Sequence, residues 1–534
     1  MNAGFRHDYR ERLLESDVRT PSTAPAQLLD SQSNLYEDAH RQVPTAAVTA
    51  GYALDDRDSV TGSFTWLERG GLRTYTELNS SSAAPAVLTS SAERLSAGHD
   101  PEKDYDERLG FSRKLERPGE ELTLSLHRAS SYQHENYAYT NESILPPAAT
   151  YDSYLILHEN HATTEVDADY VLPFSKQRSL KLGYSFEQDD YLYGVTGGNI
   201  DPVSGLPIID PNTTNDFRFR QRINGAYASY RASNDRWSLL AGLRAERTDT
   251  DALLLTSNTA SNGSYFGIYP SVHVDRILSD EATLSFGASR RVTRPDPSNL
   301  DPYVDPEYTP NLRAGNLHLQ PEYTQSYEIG YGFQGRKTLY QVTGYYRHNR
   351  DSVTDVTEYQ GNGISLTTKE NLPRADAAGL ELSSDGRIGQ VLTYSVSANV
   401  FYSQIDATAL GIPGLQSTTG VNAKLKLDYH PTSLDSAQIA VTRTDKRLTP
   451  QGYVSAINLL NAGYRRQLRS DLTAIATVSD LFNGQRNVRF ESTSTFTGEY
   501  VRAVRGRLVY VGFIYSFGSA SSGKEPSFEY EGPG

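Results

Sequence analysis

Apolar and polar residues alternate along most of this chain. Near Leu180, for example, Leu180, Leu182, Tyr184 and Phe186 are separated by polar or small residues. A repeat of two residues is that of a β-strand with one apolar and one polar face. The same pattern follows at Tyr327, where it leads out of a proline-rich and acidic stretch. The chain is therefore predicted to consist of many half-buried strands.

The connections between these runs are of two kinds that follow one another in turn. Short polar turns, such as those around Pro118 and Gly335, alternate with longer stretches rich in Pro, Gly, Ser and Asn. The long stretches include residues 78–103, 190–216 and 295–320. This order predicts roughly twenty strands, with short turns at one end and long loops at the other.

Two all-β architectures would give these strands one polar and one apolar face. Glu165, Asp167 and Asp169 share one face of a strand, and the opposite face is apolar. A soluble sandwich with its polar face outside would also give this pattern. The number of long strands without crossover helices favours a large antiparallel transmembrane β-barrel, because a bilayer admits strands only as a closed sheet. Such barrels have short periplasmic turns, long extracellular loops and an even strand number.

Composition excludes several other classes. The chain has 534 residues, no Cys and a net charge of −14. The absence of Cys excludes disulfide frameworks, Cys-based zinc sites and thiol catalysis, and the negative charge argues against a nucleic-acid partner. No stretch approaches the roughly 18 continuous apolar residues of a membrane helix.

The sequence contains motifs that imitate catalytic or cofactor sites without their context. GYGFQG at 330–335 is followed by a turn and a strand instead of the helix that a dinucleotide site needs. GSASSGKE at 518–525 imitates a phosphate loop but has Glu525 in place of the Ser or Thr. His158 and His161 would point to opposite faces of a strand. We therefore predict no catalytic residue, no cofactor and no metal site, and the protein is not expected to be an enzyme.

Aromatic residues beside two of the long loops are the candidates for ligand contact. Tyr137 and Tyr139 flank one loop, and Tyr191 and Tyr193 enter the next. Tyrosine offers a flat apolar face with a hydroxyl at its rim, which suits an external binding vestibule. The alternative is that these residues belong to the aromatic girdle that anchors a barrel in lipid headgroups.

The end of the chain and several internal segments resemble a known family. The last run, RLVYVGFIYSFG from Arg507, has the spacing of a membrane-insertion signal at Tyr510, Gly512, Tyr515 and Phe517. Together with TRP at 293–295, LDPYVDP at 300–306, GNLHLQPEYTQSYEIGY at 315–331, YYRHNRD at 345–351 and SDLFNGQ at 479–485, it resembles the C-terminal barrel of TonB-dependent receptors, in the branch known as the outer membrane β-barrel domain. The motif residues, expected to be structural, are Arg294, Pro295, Gly315, Asn316, Pro321, Glu322, Glu328, Gly330, Asp480, Leu481 and Phe482.

The resemblance implies a monomeric barrel of 22 strands in the outer membrane of a Gram-negative bacterium. Outer membrane lipid, lipopolysaccharide and the barrel assembly machinery would be its partners, and TonB would act only through an N-terminal plug. Residues 1–517 are expected to form the barrel without signal peptide, plug or first hairpin, and residues 518–534 a disordered periplasmic tail. An irregular pairing is therefore predicted between the strand near Phe5 and the strand that ends at Phe517.

The implied function is energy-coupled uptake of a scarce external ligand, such as a ferric siderophore, by a receptor of which this chain is a fragment that is inactive alone. Two alternatives are a passive porin-like channel, which would have a constriction loop inside the lumen, and a secreted all-β adhesin or glycan-binding protein.

Overall fold

The chain folds almost entirely into β-strands. The computed structural model describes residues 2–19, 29–83, 87–305, 311–361, 364–412, 414–504 and 507–515. No helix within these ranges is long and apolar enough to cross a membrane.

The first half of the chain contains the longest strands. Its elements are β1 (Asn2–Arg19), β2 (Leu29–Ala53), β3 (Asp58–Ala83), β4 (Val87–His99), β5 (Glu102–Lys114), β6 (Glu121–Leu145), β7 (Tyr151–Ser175), β8 (Arg178–Ile200), β9 (Pro207–Ser233), β10 (Trp237–Leu254) and β11 (Thr259–Ile277).

The second half has shorter strands and two single turns of 3₁₀ helix at Pro297–Asn299 and Thr408–Leu410. Its strands are β12 (Ala282–Thr293), β13 (Asn311–Arg313), β14 (Glu322–Gln334), β15 (Thr338–Arg350), β16 (Ser352–Gly361), β17 (Ile364–Leu372), β18 (Arg374–Ile388), β19 (Leu392–Asp406), β20 (Leu415–Tyr429), β21 (Asp435–Thr444), β22 (Arg447–Thr449), β23 (Gly452–Val454), β24 (Ile457–Arg469), β25 (Leu472–Ser479), β26 (Arg486–Ser492), β27 (Thr497–Val504) and β28 (Leu508–Tyr515).

The wall is an antiparallel meander in which each strand of the wall pairs with the next wall strand along the chain. β4 and β5 occupy one position, because both pair with β3 on one side and with β6 on the other. β27 and β28 likewise follow each other along one position, whereas β13, β16 and β17 form a separate three-stranded sheet. Setting aside these loop strands and the short β22, β23 and β26, the described residues occupy about twenty wall positions, as the sequence predicts.

The ring of strands closes irregularly. β28 pairs with β25, whereas β1 pairs with β27 from Arg12 opposite Val504 to Arg19 opposite Thr497. No ladder between β1 and β28 is found in the described ranges. The predicted irregular pairing at this seam is confirmed: the first strand meets the upper half of the last wall position and not the lower half.

The outer face carries the apolar residues of the alternating pattern. Leu182, Tyr184 and Ile329 are exposed, and so are Val509 and Phe513 near the end of the chain. A band of exposed apolar side chains on the outside of a closed sheet is the surface that meets lipid. The prediction that the apolar face of these strands points outward is confirmed.

The two halves of the wall differ in height. We call β6, β7, β8 and β9 the tall wall, since these strands have 23 to 27 residues. We call β15, β18, β19 and β20 the open wall, whose strands have 13 to 15 residues. The predicted long loops at 78–103 and 190–216 are wrong in extent, because most of these residues continue the strands. Above the membrane, both faces of these strands meet water or loops. The strands can therefore continue to pair through their backbones although their residues are polar.

Candidate functional site in the extracellular mouth

Two apolar clusters lie on the inner face of the tall wall and of the nearby strands β2, β3 and β10, near the extracellular end. The first contains Leu35, Tyr75, Tyr137, Tyr139, Leu155 and Val195. The second contains Tyr191, Phe217, Phe219, Ala252, Leu300 and Leu319. Because the outer positions of these strands alternate with the cluster residues, the clusters face into the barrel. Their rings meet edge to face, as Tyr191 and Phe217 do at 6.4 Å between centroids.

The second cluster is completed by a loop that folds into the mouth. We call residues 294–305 and 311–321, which lie between β12 and β14, the infolded loop; it contributes Leu300 and Leu319 to the cluster. A carboxyl oxygen of Asp301 accepts a hydrogen bond from the side-chain amide of Asn215 at 3.0 Å. The loop is thereby attached to the inner face of the tall wall by both apolar and polar contacts.

The infolded loop is compact because its two arms approach closely. The backbone N–H of Gly315 donates to the carbonyl of Asp301 at 2.6 Å, and that of Asn316 donates to Asn299 at 2.7 Å. A Cβ atom at position 315 would collide with the carbonyl oxygen of Asn299. Gly315 is therefore required by this close approach and not by its own backbone angles.

Burial changes the pKa of Asp301, a buried carboxyl of the infolded loop. Burial and then the nearby charge of Asp305 raise the pKa of Asp301 to about 6, although hydrogen bonds from Tyr303 N–H and Asn215 oppose this shift. The docked loop therefore favours the protonated form of Asp301 at a pH where a solvated aspartate would be ionised.

The separate sheet of β13, β17 and β16 bridges the mouth. Val353 packs against the second cluster on the tall wall. Four residues farther along the same strand, the hydroxyl of Thr357 donates to Glu491 at 3.1 Å, and the side chain of Gln451 exchanges two hydrogen bonds with the backbone of Thr357, each of 2.7 Å. The loop sheet thus joins the tall wall to the region of β26.

A buried ion network lies beside the first cluster. The guanidinium of Arg73 lies 3.1 Å from a carboxyl oxygen of Glu37, 3.5 Å from Glu135 and 3.6 Å from Asp100. It also lies over the ring of Tyr137, 5.9 Å from the centroid. Asp100 also pairs with Arg41, so the three carboxylates meet two guanidinium groups in this network.

Arg294 anchors the start of the infolded loop to the inner wall. Its guanidinium lies 2.6 Å from Glu246 and donates to the hydroxyls of Tyr265 at 3.1 Å and Thr248 at 3.0 Å. The expectation that this motif residue is structural stays a prediction.

The other motif residues lie mostly in turns and ladders. Asp480 adopts a positive φ of 51° and accepts the backbone N–H groups of Gly484 and Gln485 at 2.7 and 2.8 Å. Asn316 donates to the carbonyl of Lys369 at 3.0 Å, which ties the infolded loop to the loop sheet. The remaining positions are a half-buried Pro295, a buried Pro321, Glu322 paired with Thr293, Glu328 bonded to Ser326, Gly330 in β14, Leu481 bonded to Leu460 and an exposed Phe482.

The residues of the predicted insertion signal lie on the last strand. Tyr510 and Tyr515 are exposed side chains of β28, and Gly512 lies between them. Phe517 and residues 518–534 lie outside the described residues. The signal itself is not tested by the structure and stays a prediction.

The tyrosines predicted for ligand contact are placed differently from the expectation. Tyr137 and Tyr139 lie within β6, and Tyr191 and Tyr193 within β8, instead of beside loops. Tyr137 is only 1% exposed and Tyr191 only 5%, because the clusters and the infolded loop cover their faces. The expectation that these tyrosines line an exposed vestibule is therefore wrong for this conformation, because the strands of the tall wall extend past them.

The inner face of the open wall contrasts with this covered region. A hollow of about 440 Å³ lies against it, lined among others by Gln341, Thr343, Ser397, Asn399 and Lys424. Most of the residues that line it have amide, hydroxyl or charged side chains.

The carboxylates and histidines considered as metal ligands are distributed along the inner and outer faces. His161 lies 2.7 Å from Asp189 on the inner face, whereas His158 lies on the outer face. Asp167 accepts from Ser125 and Asp169 from Tyr227, so these acids pair with neighbours on the wall. Within the described ranges, no group of three His, Cys, Asp or Glu side chains is arranged to hold a metal ion.

Comparison with known proteins supports the architecture. A family model described as the outer membrane protein beta-barrel family matches residues 113–515. A comparison with curated sequences found no match.

Several solved structures share the fold. The copper transporter OprC is 12% identical, with a TM-score of 0.56 over 93% of this chain and 81% of that chain. The siderophore receptor PiuA from Acinetobacter baumannii is 11% identical, with a TM-score of 0.52 over 94% and 82%. The ferric yersiniabactin uptake receptor FyuA from Yersinia pestis is 13% identical, with a TM-score of 0.50 over 93% and 80%. At these identities the likeness concerns the fold alone.

Proposed function

This chain belongs to the outer membrane protein beta-barrel family, and from that premise we propose that it forms the barrel of a receptor for TonB-dependent uptake of a scarce external ligand. The chain is a transmembrane barrel of the Gram-negative outer membrane and not an enzyme. A secreted adhesin, one of the alternatives, does not agree with that location.

The observation that carries this proposal is the size of the barrel. About twenty wall positions enclose a lumen that side chains alone do not fill, and barrels of this class are plugged when they act as transporters. Energy coupling through TonB would need such a plug inside the lumen, so the plug is the second component that the proposal requires.

A ferric chelate is the ligand class that we favour. Two of the solved relatives are described as a siderophore receptor and a ferric yersiniabactin uptake receptor. In this chain the aromatic rings of Tyr137, Tyr139, Tyr191 and Tyr193 would offer flat contact surfaces once the infolded loop moves away from the wall.

Ligand binding by the purified barrel tests the proposal. Titration calorimetry of the chain in detergent with ferric catecholate and ferric hydroxamate chelates should show saturable binding of one of these classes. Growth on defined iron sources, with and without the gene, then tests uptake. Failure to bind any chelate, combined with unchanged growth under iron limitation, would remove the siderophore assignment.

The infolded loop favours a second candidate, a passive porin-like channel. A loop held inside the lumen by Leu300, Leu319 and Asp301 is what such a channel would use as a constriction. Planar-bilayer recording separates the two functions. A steady conductance, with small solutes passing at a rate that does not saturate, supports the channel. A barrel that conducts no current and binds one ligand supports the receptor.

A further inference from the structure

Two neighbouring hairpins carry cations at their periplasmic ends. The turn between β14 and β15 contains Arg336 and Lys337, and Arg387 lies at the end of β18, just before the next turn. The backbone N–H of Arg387 donates to the carbonyl of Lys337 at 3.1 Å, so the two hairpin ends lie side by side. All three side chains are exposed. They therefore form one positively charged patch on the periplasmic rim of the barrel.

A hollow of about 470 Å³ lies between these two hairpin ends, and we call it the rim hollow. Its lining includes the three cationic residues together with Leu339 and Gln390. Leu339 is 41% exposed, so the rim hollow offers an apolar contact beside its positive charge. A ligand with carboxylates next to aromatic side chains would match both features.

The acidic residues around the rim hollow leave its cations unpaired. Asp385 lies two residues before Arg387 on the same face of β18, and residues 280–281 are the acids of the adjacent turn between β11 and β12. In the part of the chain that the structure describes, none of the three cations forms an ion pair with them or with any other acid. The turn between β24 and β25 differs, because Arg469 is paired there with Asp471 at 3.1 Å.

The C-terminal segment, residues 518–534, has the complementary composition. It contains three glutamates and one lysine, and its FEYE motif at 528–531 alternates aromatic and acidic residues. The segment lies outside the described residues, but the strand before it is placed: β28 ends at Tyr515, opposite Leu472 at the short turn between β24 and β25. The segment therefore starts on the periplasmic side, at the same rim as the hollow.

The C-terminal segment is long enough to reach the rim hollow. Six wall steps lead from β28 to β18, by way of β25, β24, β21, β20 and β19. Strands about 4.8 Å apart and tilted about 45° make this roughly 40 Å along the rim. The fourteen residues from Ser516 to Glu529 span up to about 46 Å when extended. The covalent link also raises the local concentration of the segment to the order of 1 mM, at which weak contacts suffice.

We propose that the C-terminal segment turns back along the periplasmic rim and binds the rim hollow, with Glu529 and Glu531 paired with its three cations and the aromatic residues of the FEYE motif packed against Leu339. The segment would then be ordered on the rim instead of disordered as its composition suggests. The inference concerns the periplasmic end of the barrel and is independent of the transported ligand.

Carbodiimide crosslinking of the full chain in neutral detergent, followed by mass spectrometry of its peptides, tests the contact, because this reagent joins an amine only to an adjacent carboxylate. Lys337 should be linked to Glu529 or Glu531. Lys176 is the control: it is exposed in the turn between β7 and β8, and β7 is also six wall steps from the last wall position, in the opposite direction. A missing link at Lys337, or an equal yield at Lys176, would overturn the proposal.

A pair of charge variants tests whether the rim hollow holds the segment. R336Q/R387Q should lower the yield of the Lys337 link roughly fivefold, the size expected for the loss of two exposed ion pairs. R57Q/R236Q removes the same charge from two other periplasmic turns and should leave the yield unchanged. If R336Q/R387Q does not keep the mobility of the folded barrel in unheated gels, wild-type protein in about 0.5 M salt replaces it, since screening should lower the yield similarly. A yield that neither change lowers would contradict the proposal.

Two further conditions separate this segment from other occupants of the rim hollow. In a mixture of isotopically light and heavy protein, the link should join residues of one molecule, and links between light and heavy chains would assign the hollow to a second copy. In bilayers that contain phosphatidylglycerol, the link should persist. Its loss there would assign the rim hollow to a lipid headgroup and overturn the proposal.

Discussion

The outer faces of the tall wall and the open wall are both apolar, but the residue types on their inner faces differ. Above the membrane, the tall wall carries aromatic clusters and the docked infolded loop, whereas the open wall, at the height of the membrane, borders a hollow of about 440 Å³. Both have the same two-residue alternation. The residue types on the inner positions make the difference: Phe217 and Val195 need cover from water, and Gln341 and Ser397 do not. An apolar inner position above the lipid band thus indicates that a loop packs there.

The largest expected effect comes from emptying the second cluster. Phe217 is completely buried at its centre, so Phe217→Ala should destabilise the docked region by about 3–5 kcal/mol, as for other large-to-small core substitutions. Hydrogen exchange of the infolded loop in detergent measures this opening. The matched variant Phe401→Ala, on the half-buried inner face of the open wall, should change exchange of the infolded loop little. Equal effects of the two variants would contradict the difference between the walls.

A change of pH should alter the stability of the infolded loop docked on the tall wall and leave the open wall unchanged. Since the pKa of Asp301 is raised to about 6 in the docked loop, the docked state holds a proton that a solvated aspartate releases near pH 4. The stabilisation is complete below about pH 4 and is lost as pH rises through about 6, with a total of about 3 kcal/mol. Protection of the Gly315 and Asn316 amides, corrected for intrinsic exchange, should therefore fall between pH 4 and 7.

Two comparisons control this measurement. Asp301→Asn should abolish the pH dependence of loop protection. Amides of β19 on the open wall should show no such change between pH 4 and 7. Loop protection that rises with pH in the wild type would contradict the assignment of the proton to Asp301.

The third contrast uses two arginines. Arg294→Gln removes a nearly buried ion pair with Glu246 and two hydrogen bonds, and should cost about 2 kcal/mol. Arg347 on the open wall lies 3.7 Å from Glu328 and 3.6 Å from Glu381, and its side chain is 41% exposed. Arg347→Gln should therefore cost less than about 1 kcal/mol. Urea unfolding in detergent measures both, and a larger loss for Arg347→Gln would refute the comparison.

The smallest effects are expected at two glutamines. Gln341 is exposed in the hollow of the open wall, so Gln341→Ala should change the free energy of unfolding by no more than about 0.5 kcal/mol. Gln221 is buried on the inner face of β9, and Gln221→Ala should cost about 1 kcal/mol. The same urea titrations test this pair, for which the reverse order would be unexpected.

The sequence predicts the wall of the barrel well because its signals are local. The alternation at Leu182 and Ile329 reports which side chains face lipid, and the turns at Pro118 and Gly335 report where strands reverse. In each case the residues that decide the conformation lie within a few positions of one another.

The covered mouth could not be predicted because its contacts join distant parts of the chain. Asp301 meets Asn215 across 86 positions, and Thr357 meets Glu491 across 134. The expectation that Tyr137 is exposed failed for this reason, since the infolded loop and β3 cover it. One local signal was available in β9: the alternation of Phe217 and Phe219 with arginines marks an inner face that needs cover.

The unequal strand lengths give the barrel a directional entrance. β9 has 27 residues and β15 has 13, a difference of about 45 Å along the strand and roughly 30 Å in height after tilt. The rim therefore has a high shoulder on one side and a notch on the other. Molecules diffusing over the cell surface would reach the lumen through the notch, while the shoulder screens the opposite approach. Any cap or inhibitor designed against this barrel should be aimed at the notch.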